Sequence, residues 1–270
     1  MANELHIGTV DLGDSRPGAN WPRHFARLSY LEWTGTFVAS PKATVLPTWA
    51  AEGQGRLGLH APWVVSHRKL PSHLRAPAAG GAYATDAVTG DFRGGAAALA
   101  AVDRAAQFVA DSKARVIVFS SDPMFSPSQA NRDHLTAFFA EVAPAEKFPT
   151  AMRVWIPGGL WDPYQAATFA NRLGLVASVD PFANSLDRTP DWVTGLPGDH
   201  IYFRPTNAGR TSALSLERLE DLAGWLDHYA AATVAFATVA RRKDAESLIA
   251  VTSGSAGGAE DNEEDESGDA

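Results

Sequence analysis

The chain has 270 residues, 45% of them hydrophobic, and a formal net charge of -8. It holds no cysteine, which excludes disulfides, thiol catalysis and thiolate metal ligands. No uncharged apolar stretch approaches the roughly 18 residues of a membrane span, and Met1 to Gly8 lacks the basic and apolar regions of a signal peptide, so a soluble cytoplasmic protein is expected.

Eight short apolar bursts, separated by helix-like or polar segments, organise the chain. Leu5 to Thr9 reads as the first strand, Asp11 to Asn20 as a loop, and Pro22 to Leu28 as a short helix. A second strand follows at Leu28 to Trp33, then a helix at Lys42 to Ala51 that Pro47 weakens or shifts. The third strand is Arg56 to Ala61. Pro62 to Phe92 is the longest irregular region, and a loop of that length in a compact domain is either functional or mobile. The helix Gly94 to Ala110 carries Leu99, Val102, Ala106 and Val109 at helical spacing. Arg115 to Phe119 is the clearest buried strand, followed by the helix Ser128 to Val142. The fifth strand, Ala151 to Ile156, precedes a helix at Pro163 to Leu173 that ends at Gly174. The sixth is Leu175 to Val179, with a proline-rich crossover from Pro181 to Leu196. Ile201 to Phe203, the helix Ser215 to Tyr229, Val234 to Thr238 and the helix Arg242 to Val251 complete the pattern.

Eight strands with crossovers predict a single (β/α)8 TIM barrel over residues 1–252, with irregular crossovers. Residues 253–270 hold seven of the 31 acids and no Lys or Arg, so a disordered acidic tail is expected there. The body then balances 24 acids against 23 bases, and its charge offers no general attraction to nucleic acid.

In a TIM barrel, chemistry sits where strands end. Glu32, Asp180 and Arg204 occupy such ends. Glu32 is a general base, a ligand anchor or one half of a barrel salt bridge. Asp180 precedes a proline, and either faces the mouth or caps its own turn. Arg204 offers a bidentate fork to phosphate or carboxylate, or pairs internally with Asp180. His60 and His67 lie at and after the third strand, as proton-handling or simply hydrogen-bonded side chains. Asp122 follows the fourth strand in Ser120-Ser-Asp-Pro123. Serine is a weak nucleophile there, because no neighbouring residue in the sequence activates it and no Gly-x-Ser-x-Gly elbow exists. Trp33, Trp63 and Trp161 flank strand ends, as a stacking platform or as plugs over the core. No metal-ligand spacing and no dinucleotide or Walker glycine motif is present, so no metal is expected and the cofactor is open.

Taken in order, these segments resemble the DUF72 family, the YecE-like TIM barrels, over about Leu5 to Val251. Ile7-Gly-Thr9 matches the family's first strand. Glu32 and Phe37 match its second segment, with Pro41 and Trp49 after it. Ala61, Pro62 and His67 match the third, Asp180 the sixth, and Tyr202 and Arg204 the seventh. The glutamine ending the family's fourth strand is absent from Phe119-Ser-Ser-Asp-Pro123, Thr206 stands at a histidine position, and the asparagines after the eighth strand are missing. With this divergent-barrel resemblance, the strand-end residues point to a mouth that binds or transforms a small anionic, phosphate- or carboxylate-bearing ligand. Glu32, His67 and Asp180 would handle protons, with His60, Trp63, Asp122, Trp161 and Arg204 around the ligand. The lost charged positions leave an inactive ligand- or protein-binding barrel as an alternative, and stacking tryptophans leave nucleic-acid processing as another. The family's biochemical role is not established, and oligomeric state is not legible.

Overall fold

The computed structural model describes residues 4–12, 21–75, 81–158, 161–183, 191–206 and 212–254. The acidic tail from residue 255, with the expectation of its disorder, lies outside them. Eight strands alternate with the crossovers: β1 Glu4–Val10, β2 Tyr30–Trp33, β3 Leu57–His60, β4 Val116–Ser120, β5 Met152–Ile156, β6 Val176–Val179, β7 His200–Phe203 and β8 Ala231–Phe236. All pair in parallel in chain order, and β8 pairs with β1 to close the barrel. The fold is a (β/α)8 TIM barrel.

Successive side chains on a strand point to opposite faces, so each strand divides its residues between two cores. Leu31, Leu57, Leu59, Ile117, Phe119, Phe203 and Phe236 point outward and join the large core beneath the helices. Tyr30, Val116, Val118, Val154, Tyr202 and Ala235 point inward and fill the lumen. The inward phase continues one step further at the strand ends. Glu32 follows Tyr30, His60 follows Gly58, Ser120 follows Val118, and Arg204 follows Tyr202. Gly58 is required by this layering: a Cβ there would lie 1.9 Å from the Tyr30 hydroxyl.

The helices are α1 Trp21–Phe25, α2 Gly35–Val38, α3 Leu46–Gly53, α4 Ala96–Ser112, α5 Gln129–Ala137, α6 Pro163–Arg172, α7 Leu216–Leu226 and α8 Arg241–Thr252. Pro47 falls in the first turn of α3, where its missing N–H leaves no hydrogen bond unmade. Ser128 and Asp162 cap α5 and α6 by accepting from the backbone N–H groups of Asn131 and Gln165. Three departures from the sequence expectation stand out. The one-turn helix α2 falls between the expected second strand and the following helix, where no element is expected. The strand β8 starts at Ala231 rather than Val234, because β1 provides a ladder from Glu4 onward. The helix expected to reach Val142 passes into a π turn over Phe138–Val142. That wider turn lets the consecutive rings of Phe138 and Phe139 both face the core, edge to face at 5.2 Å.

Candidate functional site

Glu32 is fully buried at the end of β2 and lies at the centre of a hydrogen-bond network spanning the barrel. Its Oε1 meets His60 Nε2 at 2.8 Å and accepts from Arg204 Nε at 3.0 Å. Its Oε2 accepts from the Tyr202 hydroxyl at 2.6 Å and from Arg204 Nε at 3.3 Å. Burial alone pushes such a carboxyl upward, but the Arg204 charge, His60 and the Tyr202 bond together outweigh it and hold Glu32 at about 2. Burial and the Glu32 charge push Tyr202 and Tyr30 well above the ordinary phenol range, so both stay protonated. Tyr202 spends its proton on Glu32, so the 3.0 Å contact between the two phenols is donated by Tyr30.

The same chemistry fixes the polarity of His60. An ionised carboxylate only accepts hydrogen bonds, so Nε2 carries the proton in the Glu32 contact. In the neutral ring Nδ1 is then the acceptor, and it faces Ser120 Oγ at 3.2 Å. In that neutral form Ser120 donates to His60.

A cleft of about 690 Å³ opens above this network. His60, His67, His73, Lys69, Arg204 and Asp122 contribute its charged and titratable lining. Part of the long irregular region forms one wall, through Lys69 and Pro71 to Leu74. The region is tied down by the backbone N–H groups of Gly90, Asp91 and Phe92, which donate to Val64, Ser66 and Val65. All three residues have positive φ, 87°, 54° and 55°, a conformation that costs a side-chain-bearing residue about 1–2 kcal/mol. Burial of the Phe92 ring and the 2.7 Å bond from Arg68 Nε to Asp91 hold the turn against that cost. A Cβ at Gly90 would meet the backbone of His67 and Arg68, so this glycine sets the close approach that places His67.

His67 stands in the cleft apart from the Glu32 network. Its Nδ1 meets Ser66 Oγ at 2.8 Å, and its ring lies edge to face on Phe37 at 5.1 Å. Burial lowers its pKa against the opposing charges of Asp122 and Asp91. Asp180 serves two backbone segments: Oδ1 accepts from Phe182 N in an Asx turn, and Oδ2 accepts from Thr206 N, each at 3.0 Å. Burial raises its pKa, while the Thr206 bonds and the Arg204 charge oppose the rise. The ion partner of Arg204 is Glu32, whereas the internal pair expected from sequence was with Asp180. Asp122 lines the cleft with Oδ1 accepting from Met124 N at 2.8 Å. Trp161 is buried against Trp155, its Nε1 donating to Phe125 O at 3.1 Å, and Trp63 packs on the outer core. These two rings have the surroundings of plugs rather than of an open stacking platform. Among the described residues, no group of three His, Asp or Glu side chains is arranged to hold a metal ion.

No family model and no curated protein matches the chain. Solved structures do. A DUF72 family protein from Enterococcus faecalis matches with a TM-score of 0.62 at 11% identity, covering 93% of this chain and 95% of that one. A DUF72 family protein from Thermotoga maritima matches with a TM-score of 0.56 at 12% identity, over 91% and 97% of the two chains. The chain has the DUF72 fold. A D-allulose 3-epimerase from Methylomonas sp. shares the barrel as well, with a TM-score of 0.55 at 13% identity over 87% of this chain and 86% of that chain. At these identities the likeness is one of fold, so the site rests on its own geometry.

Sequence reasoning placed Glu32, His60 and Arg204 as separate candidates; the barrel joins them in one network. Tyr202, counted only as a family match, supplies Glu32 with its shortest bond. Lys69 and His73 of the cleft wall were also not singled out as site residues. The signal for the strand residues was available: Tyr202 and Arg204, and Tyr30 and Glu32, are two apart on their strands, so each pair shares a face.

Proposed function

We propose that this chain is a divergent DUF72 member whose barrel mouth binds a small ligand bearing a carboxylate or phosphate, with His60 as the proton-handling group. Arg204 carries the reading. Its Nε is committed to Glu32, while its terminal nitrogens have no hydrogen bond among the described residues and the side chain lines the cleft. A guanidinium anchored on one edge and open on the other presents an oriented donor pair to an anion. Lys69 and three histidines enrich the same cleft in cationic and titratable groups, and Asp122 is its one acid among the described residues.

Glu32 has a positioning role in this reading. Its two oxygens already accept four contacts, and a carboxylate has about four lone-pair sites. It orients His60 and Arg204 and does not itself take a proton from the ligand. That saturation also favours a second reading, a binding barrel without turnover. Nucleic acid is less well supported, because Arg68, part of the basic patch it would need, is already paired with Asp91.

Titration calorimetry with phosphate, sugar phosphates and small carboxylates tests the proposal. Arg204→Lys keeps a cation beside Glu32 but removes the open fork. Loss of one charge-assisted hydrogen bond, about 1.5–3 kcal/mol, weakens binding by roughly 10- to 100-fold. Equal affinity in the variant, or no binding by any anion in the panel, overturns the reading.

A further inference from the structure

We propose that Ser120 is a nucleophile activated by His60, and that the cleft supports acyl transfer from an ester to Ser120 and then to water. This names a reaction for the site described above and rests on its Glu32–His60 pair, adding Ser120, and an uncharged ester tests it without the anion. Either reading therefore survives failure of the other.

The three side chains come from three adjacent strands. Glu32 ends the inward row of β2, His60 ends β3 and Ser120 ends β4. Glu32 meets His60 Nε2 at 2.8 Å, and Ser120 meets His60 Nδ1 at 3.2 Å. The ring thus bridges an orienting carboxylate and a hydroxyl through its two nitrogens, the constellation that defines an activated serine wherever it occurs in a fold. The nitrogens exchange the places they have in the best-known triads, yet the proton polarity is the required one: Nε2–H on the carboxylate, a lone pair on the serine.

Ser120 differs from its neighbour in the way this role requires. Ser121 is buried, and its oxygen is occupied by Trp155 Nε1 at 2.8 Å. Ser120 is half-buried and lines the cleft, and its hydroxyl meets His60 rather than a core partner. The turn after it is held firmly. A Cβ at Gly158 would fall 2.2 Å from the Asp122 carbonyl oxygen, so the β5 loop packs directly on that turn. Arg204 lines the same cleft, so a positive charge stands in the region where negative charge would develop on the ester oxygen.

In the first step Ser120 Oγ bonds to the ester carbonyl carbon and its proton passes to His60 Nδ1. The carbon–oxygen bond to the alcohol breaks, and that proton leaves with the alcohol. Water, giving its proton to Nδ1, then attacks the acyl-serine. The carboxylic acid departs and the proton returns to Ser120. Glu32 remains ionised throughout.

The test uses the full chain, a neutral alkyl fluorophosphonate and p-nitrophenyl acetate. Intact mass and peptide mapping are expected to show one adduct, on Ser120. Ser120→Ala should abolish both the adduct and nitrophenolate release above background, and His60→Gln should slow them about 100-fold, the scale of a general base. No adduct on Ser120, an adduct on Ser121 instead, or unchanged ester turnover in Ser120→Ala overturns the proposal. The site of labelling in the unaltered chain decides the matter even if a variant fails to fold.

Discussion

Glu32 shows how much one residue depends on partners that no local sequence contains. It is fully buried, and its charge is tolerated because Arg204, His60 and Tyr202 surround it. Glu32→Gln would remove the anion and leave the Arg204 charge without its partner. Breaking a buried pair from one side costs about 3–5 kcal/mol, so urea denaturation should show a loss of that size with an unchanged slope. Because its folded pKa of about 2 lies below the ordinary 4.5, Glu32 contributes stability that is complete above pH 4.5 and disappears as pH falls toward 2. That acid-dependent loss should vanish from the Glu32→Gln profile. Glu32, Asp180 and Arg204 were readable as strand-end charges. Which acid Arg204 would choose was not, because β2 and β7 meet only through the lumen of the closed barrel.

At the scale of the elements, strand existence followed from short apolar runs, while strand phase carried the function. Inward rows such as Tyr30–Glu32 and Tyr202–Arg204 alternate lumen packing with site chemistry. Gly58 belongs to that row as the space for Tyr30. Gly58→Ala would drive a methyl into the Tyr30 hydroxyl and should cost about 1–3 kcal/mol as overpacking, measured by thermal or urea unfolding. It should also weaken anion binding, because Tyr30 supports Tyr202 and Tyr202 supports Glu32. Unfolding midpoints and affinities equal to those of the unaltered chain would show that the layer has more room than its geometry implies. The π turn at Phe138–Val142 was invisible in the sequence, since an apolar stripe has nearly the same spacing either side of one inserted residue.

Across the whole molecule, titratable groups occupy both ends of the barrel. His200 begins β7, with the charges of Arg115, Glu4 and His6 acting on it. Burial first, and then the Arg115 charge, lower it from 6.5 to about 4. The unfolded chain therefore takes up this proton before the folded one does as pH falls. The resulting stability is present above pH 6.5 and is lost as pH drops through 4. His6 and His24 shift in the same direction, chiefly by burial. Unfolding free energy should thus begin to fall below pH 6.5, ahead of the Glu32 contribution, and His200→Gln should flatten the first part of that slope. A profile unchanged by the substitution would count against His200 as a source of it.

By itself the sequence determined the barrel, because eight short apolar runs at regular spacing can bury their faces in few other ways, and it marked the strand ends where charge collects. Only the tertiary structure decided that Glu32 is saturated, that Arg204 gives its Nε to Glu32, and that a serine passed over for want of a nearby base has His60 beside it. Ser120 and His60 are distant along the chain. Closure of parallel strands in register brings β3 and β4 side by side, and that long-range pairing leaves no mark in the residues flanking either one.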